Sequence, residues 1–310
     1  MKFLVTGGYG FIGANLVEKL IEDGNSIIVI DDLSSGKVEN ISPSKHLKTL
    51  HQKIQDTKFD DLDSDIDGIF HLAAQASVPY SIEKYFESSS NNLLGSLKIW
   101  EFSQKKCIPI VYASSSAVYG NFPSGDDRHD KFDILSPYAL DKLTMENYAK
   151  LCHNIYNIPS IGLRFFNVYG PLQDASNPYS GVISIFIDRL LKDKMVTVNG
   201  GYQTRDFVFI YDVVNVMKKS MNIILEKNIC KAFNVGTGVS TSIDKLLENI
   251  SSLMNTVPKI SREKLPMGDP EISSGNYEKL IKTLNIDLND FTKLNDGLYI
   301  TLESMKKSKK

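Results

Sequence analysis

Short apolar runs alternate with amphipathic stretches along most of this chain. Lys2–Thr6 is an apolar run, broken by Gly7-Gly8-Tyr9-Gly10-Phe11-Ile12-Gly13. Helical spacing follows, with Phe11, Leu16, Leu20 and Ile21 on one side, and it closes at Asp23-Gly24. Residues 26–30 are a second apolar run, ending in Asp31. Further strand-like runs stand at 69–72, 108–113, 159–163, 195–198 and around Phe233. Between them lie helical patterns through Asn92-Leu93-Leu94-Gly95 to about residue 105, after Pro137, over 181–192, and over 243–255 behind Ser242 as N-cap. This alternation predicts an α/β fold with a doubly wound parallel sheet. Neither internal repeats nor low-complexity linkers interrupt it.

The first β–turn–α–β unit has a chemical reading. Glycines between a strand and a helix let the backbone turn tightly and approach a pyrophosphate at the positive end of the helix. Asp31 ends the second strand about 20 residues beyond the glycines, the distance at which an acid accepts hydrogen bonds from a ribose. Its charge repels a 2′-phosphate, so NAD is expected over NADP. A bare tight turn is the alternative, and the surrounding strand, helix and acid disfavour it.

Composition narrows the class. A net charge of −2 and a pI near 6.2 give no reason to expect nucleic acid or a membrane surface. No apolar run approaches the roughly 18 residues of a membrane span, and the start of the chain does not read as a signal peptide. Cys107, Cys152 and Cys230 lack paired spacing and read as reduced thiols of a cytoplasmic protein. Histidines 46, 51, 71, 129 and 153 show no metal-ligand spacing, so no metal is assigned. The acids at 56, 60, 61, 63, 65 and 67 read as a solvated face, and the basic end of the chain as a frayed terminus.

Ser136-Pro137-Tyr138-Ala139-Leu140-Asp141-Lys142 carries the other chemistry. Pro137 suits a helix's first turn, which sets Tyr138 and Lys142 four apart on one face. An ammonium nearby favours the phenolate, so Lys142 is expected to lower the Tyr138 pKa and make a proton-transfer unit for a sugar or alcohol hydroxyl. Alone the pair is weak evidence. Tyr80–Lys84 has the same spacing and reads as an ordinary surface pairing.

With Gly7-x-x-Gly10-x-x-Gly13, Tyr138-x-x-x-Lys142 and several further segments, the chain resembles the extended short-chain dehydrogenase/reductase family, specifically its nucleotide-sugar enzymes. Those segments are Asp31-Asp32-Leu33-Ser34-Ser35-Gly36-Lys37, Ile69-Phe70-His71-Leu72-Ala73-Ala74, Asn92-x-x-Gly95, Arg164-Phe165-Phe166-Asn167-Val168-Tyr169-Gly170 and Thr204-Arg205-Asp206-Phe207. With Phe233-Asn234-Val235-Gly236-Thr237-Gly238 and the segment ending at Asp269, the resemblance spans roughly residues 2–269. The resemblance implies a Rossmann-type domain over 1–170 and a smaller C-terminal α/β nucleotide-sugar-binding region over 171–310, interleaved with the sheet near 207–240. It implies that NAD is held by Gly7, Gly10, Phe11, Ile12, Gly13, Asp31, Asp32, Ser35, Gly36, Ile54, Leu72, Ala73, Ala74, Asn92, Tyr138, Lys142 and Phe165. One departure stands beside Ile54: Gln52-Lys53 replaces the family's Gly-Asp, whose acid contacts adenine.

For the substrate, the resemblance implies a catalytic set of Ser115, Tyr138 and Lys142. It implies a UDP-sugar bound by Ser115, Ser116, Tyr138, Asn167, Val182, Thr197, Asn199, Arg205 and Asp269. Arg205 is one of only five arginines among 35 basic residues, and its planar fork suits a diphosphate. Phe166 reads as core. Related 4,6-dehydratases carry Thr-Asp-Glu where this chain has Ser115-Ser116-Ala117, and related decarboxylases keep the glutamate. Without those acids, elimination and decarboxylation are disfavoured and a 4-epimerase is expected. A 4-ketosugar reductase, a UDP-glucuronate 4-epimerase and a catalytically silent nucleotide sensor are the rivals. Near Asp269 the family's second phosphate-binding arginine gives way to Pro266, with Arg262 as the candidate substitute. Ser273 stands where a bulky residue in related epimerases excludes N-acetyl groups. The resemblance also implies a homodimer built from the helices near 91–105 and 138–156.

Overall fold

The computed structural model describes residues 1–62, 65–177, 180–265 and 269–307. In chain order its elements are β1 (Lys2–Thr6), α1 (Phe11–Glu22), β2 (Ser26–Asp31), β3 (Leu47–His51), β4 (Gly68–His71), α2 (Val78–Glu83) and α3 (Tyr85–Ser89). A π-helical turn (Ser90–Leu94) leads into α4 (Gly95–Gln104), β5 (Ile110–Ser115), α5 (Pro137–Tyr156) and β6 (Ser160–Phe165). Then come β7 (Asn167–Tyr169), α6 (Val182–Leu191), β8 (Val196–Asn199), β9 (Thr204–Phe209), α7 (Ile210–Glu226) and β10 (Cys230–Val235). β11 (Ser240–Ser242), α8 (Ile243–Met254), β12 (Ile260–Glu263), β13 (Ile272–Ser273), α9 (Glu278–Leu284) and α10 (Leu294–Lys307) complete it.

Seven strands form one sheet in the order β10-β6-β5-β4-β1-β2-β3. The β1–β2, β2–β3, β1–β4 and β4–β5 pairs are all parallel. The order reverses between β1 and β4, and open α/β sheets hold ligands in the crevice beyond such a switch point. Strands buried on both faces read as continuous apolar runs, which is why β1 and β2 stood out in the sequence. The doubly wound α/β architecture expected from the sequence is the one observed. The α1 stripe differs in detail: Gly13, Ala14, Leu16, Val17 and Leu20 are buried, while Phe11 and Ile21 are half-buried. The small residues let the helix sit close to the sheet, and that rotates its buried face.

The chain divides into two compact units, and it passes between them more than once. Unit 1 comprises residues 1–118, 134–164 and 214–233; unit 2 comprises 119–133, 165–213 and 234–310. Within unit 2, β9 is central, with β11 antiparallel on one edge and β13 and β7 parallel to it at successive positions. A separate parallel pair joins β8 to β12. Among the described residues no helix is long and apolar enough to cross a membrane.

Unit 1 fixes α5 by two devices. Ser136 caps it, accepting a hydrogen bond from the Ala139 N–H at 3.2 Å, and Pro137 occupies the first turn. Two turns in, Glu146 is 1% exposed and accepts bonds from the Arg164 guanidinium on β6 (2.8 and 2.6 Å) and from the Ser114 hydroxyl on β5 (2.5 Å). Breaking such a buried, bidentate pair strands the surviving charge, which costs about 3–5 kcal/mol. Glu146→Ala is therefore expected to lower the urea midpoint of unit 1 by an amount equivalent to roughly 3–5 kcal/mol, read by circular dichroism. A change below about 1 kcal/mol, the scale of an exposed pair, contradicts this role.

Candidate active site

The glycine turn is built for close backbone approach. Gly7 has φ +68°, and a Cβ there would lie 2.7 Å from the Ala73 nitrogen. A Cβ on Gly13 would meet the Gly7 carbonyl oxygen at 2.1 Å. Gly10 is the N-cap of α1 and no side chain caps that end. The first N–H groups of the helix therefore keep their donor capacity for a phosphate, and the cradle fits a pyrophosphate.

At the end of β2, Asp31 is 8% exposed and accepts bonds from the backbone N–H of Tyr9 (2.9 Å) and of Leu33 (2.8 Å). Burial pushes its pKa up, and those two N–H groups pull it back. Each oxygen keeps a lone pair for a ribose hydroxyl. Asp32 accepts from the Ser34 N–H and hydroxyl, and the Ser35-Gly36 backbone then passes against Tyr9. Thr6 receives the N–H groups of Leu72 and Ala73, so the small-residue segment through Ala74 continues directly from β4. Phe11 and Ile12 are half-buried in the first turn of α1. Ile54 turns its side chain into the core, leaving only backbone for a ligand, and Lys53 beside it is exposed.

Ser115 ends β5, and its hydroxyl is close enough to Tyr138, near the start of α5, to draw the pKa of the phenol back down. It also accepts from the Ala117 N–H at 3.1 Å. Ser116 is half-buried in the turn that follows. Lys142 is 2% exposed; its Nζ lies 5.6 Å from the centre of the Tyr138 ring and donates to the Ala113 carbonyl at 2.8 Å. The expectation of a lowered Tyr138 pKa is corrected here: burial outweighs what draws it back, so the net shift is upward. Burial pushes the Tyr138 hydroxyl up, and Ser115 is the group that draws it back. The ammonium sits over the ring and against a carbonyl, and burial lowers its own pKa to about 8. Asn92 lies in the π-helical turn, a distortion often found at functional sites, and its amide brackets the Gln75 backbone (2.8 and 3.2 Å).

Two supporting residues, Ser81 and Glu146, escaped the motif reading, and a third, His71, lay inside a quoted segment without a role of its own. Ser81 accepts the Tyr138 N–H at 3.2 Å. His71 is buried between Thr6 and Ser96, at 2.7 and 2.9 Å, and burial lowers its pKa to about 3, so it is neutral. Glu146 follows Lys142 by one turn, a helical spacing that could have revealed it.

In unit 2, Arg205 is 8% exposed on β9, in register with Thr241 on one side and Ser273 on the other. Its guanidinium pairs with Asp269 and donates to the Thr204 carbonyl at 2.8 Å. Asp269 therefore orients the arginine. The adjacent Asp206 is fully buried and accepts from Thr237, Gly238 and the Tyr277 hydroxyl, which holds that end of β9. Asn167 opens β7, Val182 opens α6, and Thr197 and Asn199 face outward on β8. Phe165 is buried at the end of β6; Phe166 packs edge-on against Tyr277, the core role expected of it. Arg262 is exposed on β12 and paired with Asp244 at 2.9 Å, so a carboxylate already engages it. Pro266 lies outside the described residues.

A glycine turn at the start of α1, a buried acid ending β2 and a Ser–Tyr–Lys group together fit a dinucleotide-dependent enzyme. The model of the NAD dependent epimerase/dehydratase family matches residues 3–236, and the chain belongs to that family. NAD is its cofactor. A UDP-glucose 4-epimerase from Mycolicibacterium smegmatis is 35% identical over 259 residues, covering 79% of this chain and 80% of that protein. A UDP-N-acetylglucosamine 4-epimerase from Methanobrevibacter ruminantium, solved with UDP-N-acetylmuramic acid, superposes with a TM-score of 0.93 at 33% identity, over 99% of this chain and 98% of that one. A UDP-glucose 4-epimerase from Thermotoga maritima, solved with UDP-glucose, gives 0.92 at 33% identity over 100% of both chains.

Asp31→Asn keeps the shape of the ribose acceptor and removes its charge. Hydrogen bonds to a charged group are worth about 1.5–3 kcal/mol, so NAD⁺ affinity is expected to fall roughly 10- to 100-fold while NADP⁺ binds relatively better, by calorimetry. Unchanged selectivity between the two would argue against Asp31 as the discriminating group.

Proposed function

We propose that this chain is a UDP-hexose 4-epimerase. The observation that carries this reading is the Ser115–Tyr138–Lys142 group with Ser116 and Ala117 beside it, which leaves a proton shuttle without a second acid or base for elimination. When bound, NAD would supply a reversible hydride acceptor beside sugar C4, so that the configuration at that carbon could invert.

Tyr138 takes the C4 hydroxyl proton and gives it back, with the Ser115 hydroxyl bonded to the same oxygen. A buried phenol with a raised pKa is a strong base once deprotonated, and the positive charges of Lys142 and of the oxidised nicotinamide favour that deprotonation. Lys142 holds the nicotinamide ribose. Arg205, braced by Asp269, and Asn167 hold the diphosphate while the sugar turns. Ser273, in register with Arg205, has a small side chain that leaves room for a 2-acetamido group, so both UDP-glucose and UDP-N-acetylglucosamine are candidate substrates. The likeness to relatives named for each substrate supports this range.

Two copies pair through α5 and the helices before it, where Phe86, Leu94, Leu140, Leu151 and Ile155 are all exposed. Leu151→Glu is expected to shift a sedimenting dimer toward monomer.

Incubating the protein with UDP-glucose, UDP-N-acetylglucosamine and UDP-glucuronate, with product sugars resolved by NMR, assigns the substrate. Tyr138→Phe is expected to lower kcat by about 10²–10⁴-fold, the typical weight of a positioned acid–base group. Wild-type turnover in that variant would sink the proposal.

A further inference from the structure

We propose that Asp141 is a positioning residue for the reacting pair: its buried carboxylate ties α5 to the π-helical turn and sets a negative charge one residue from Lys142. The inference rests on the reading of Tyr138 and Lys142 given above.

Asp141 follows Tyr138 by three residues and so shares its face of α5, 2% exposed, while Leu140 beside it is 54% exposed. A carboxylate buried this deeply needs partners. Two neutral donors supply them: the Ser89 hydroxyl and the Asn92 amide, each at 3.1 Å from the same Oδ2. The Asn92 amide nitrogen also donates to the Gln75 carbonyl and its oxygen accepts the Gln75 N–H, so the residue is fixed from two sides. Ser89 ends α3 and Asn92 sits in the π turn. The link from Asp141 thus spans the place where the helical ladder changes pitch, and it sets that turn against the first turns of α5.

The charge does a second job. Lys142 is held by one neutral carbonyl, Ala113, at 2.8 Å, and burial lowers its pKa. The Asp141 charge is the group that raises it again. Burial pushes the Asp141 carboxyl up, while Ser89, Asn92 and Lys142 draw it back. The other titratable groups around α5 do not substitute. His71 on β4 is neutral, Tyr112 on β5 is held protonated by burial, and Glu146 is committed to Arg164. Glu83 on α2, Tyr85 and Glu87 on α3 and Glu101 on α4 are exposed, and Tyr80 and Lys98 are half-buried.

The test is the titration of Lys142 itself, followed by NMR of ¹³Cε-lysine-labelled full-length protein and assigned by loss of the signal in Lys142→Arg. In Asp141→Asn, which keeps an acceptor oxygen but no charge, the midpoint is expected to move to lower pH by about half a unit or more, with far-UV circular dichroism unchanged. The alkaline limb of kcat/KM should move the same way, and Asp141→Glu should restore it. In the wild type, the Lys142 signal should show a second, small inflection in the acid range as Asp141 takes up its proton, a readout that requires no variant. A Lys142 midpoint unmoved in Asp141→Asn, or no acid inflection in the wild type, overturns the proposal. The NMR readouts do not require turnover, so a wild-type protein that epimerises no UDP-hexose would refute the proposed function and leave this test standing.

Discussion

Everything at the reacting end of this molecule depends on one buried cation beside one buried phenol. Lys142 is 2% exposed with its ammonium against a backbone carbonyl, and Tyr138, one turn earlier, is 9% exposed. Neither group is comfortable in its charged state there: burial drives the lysine pKa down to about 8 and the tyrosine pKa up. Such an environment is costly in stability terms, and proteins keep one where a proton has to move at neutral pH. The surrounding structure can be read as what makes that placement tolerable. Ser136 and Pro137 start the helix at the right residue, Ser81 receives the Tyr138 N–H, and Glu146 locks the second turn to β5 and β6.

The two compact units divide the chemistry. Unit 1 carries the glycine turn, Asp31 and the Ser–Tyr–Lys group. Unit 2 presents an arginine braced by an aspartate on a strand whose next residue, Asp206, is wholly committed to holding the fold. The contrast between neighbours is informative. Arg205 keeps guanidinium capacity for a ligand, whereas each Asp206 oxygen is engaged by the Thr237–Gly238 segment, with Tyr277 on Oδ2 as well. Adjacent residues of one short motif thus differ: Asp206 is committed to structure, and Arg205 keeps donors for the diphosphate proposed above.

Much of this was legible in the sequence, for physical reasons. Parallel strands buried on both faces give unbroken apolar runs, and glycines required by positive φ or close approach recur at readable spacing; Gly7 and Gly13 are such cases. Side chains whose role is set by long-range partners were less legible. Nothing local announces that Glu146 meets Arg164 18 residues away, or that Asp141 meets Asn92 49 residues away. The Tyr138–Lys142 electrostatics were misjudged for the same reason. Spacing shows that two residues share a helix face, but burial decides the direction of the Tyr138 shift. The π-helical turn at Asn92 was read as regular helix because five residues are too few for a spacing pattern to separate the two pitches.

The central claim is that hydride leaves and returns to the same sugar carbon within one site, with Tyr138 shuttling the proton. Supplying UDP-[4-²H]glucose to the NAD-loaded enzyme tests it most directly. Epimerisation predicts UDP-galactose that retains deuterium at C4, formed with no net change in NADH. Product formed only with stoichiometric reduced cofactor, or with the C4 deuterium lost, would contradict it.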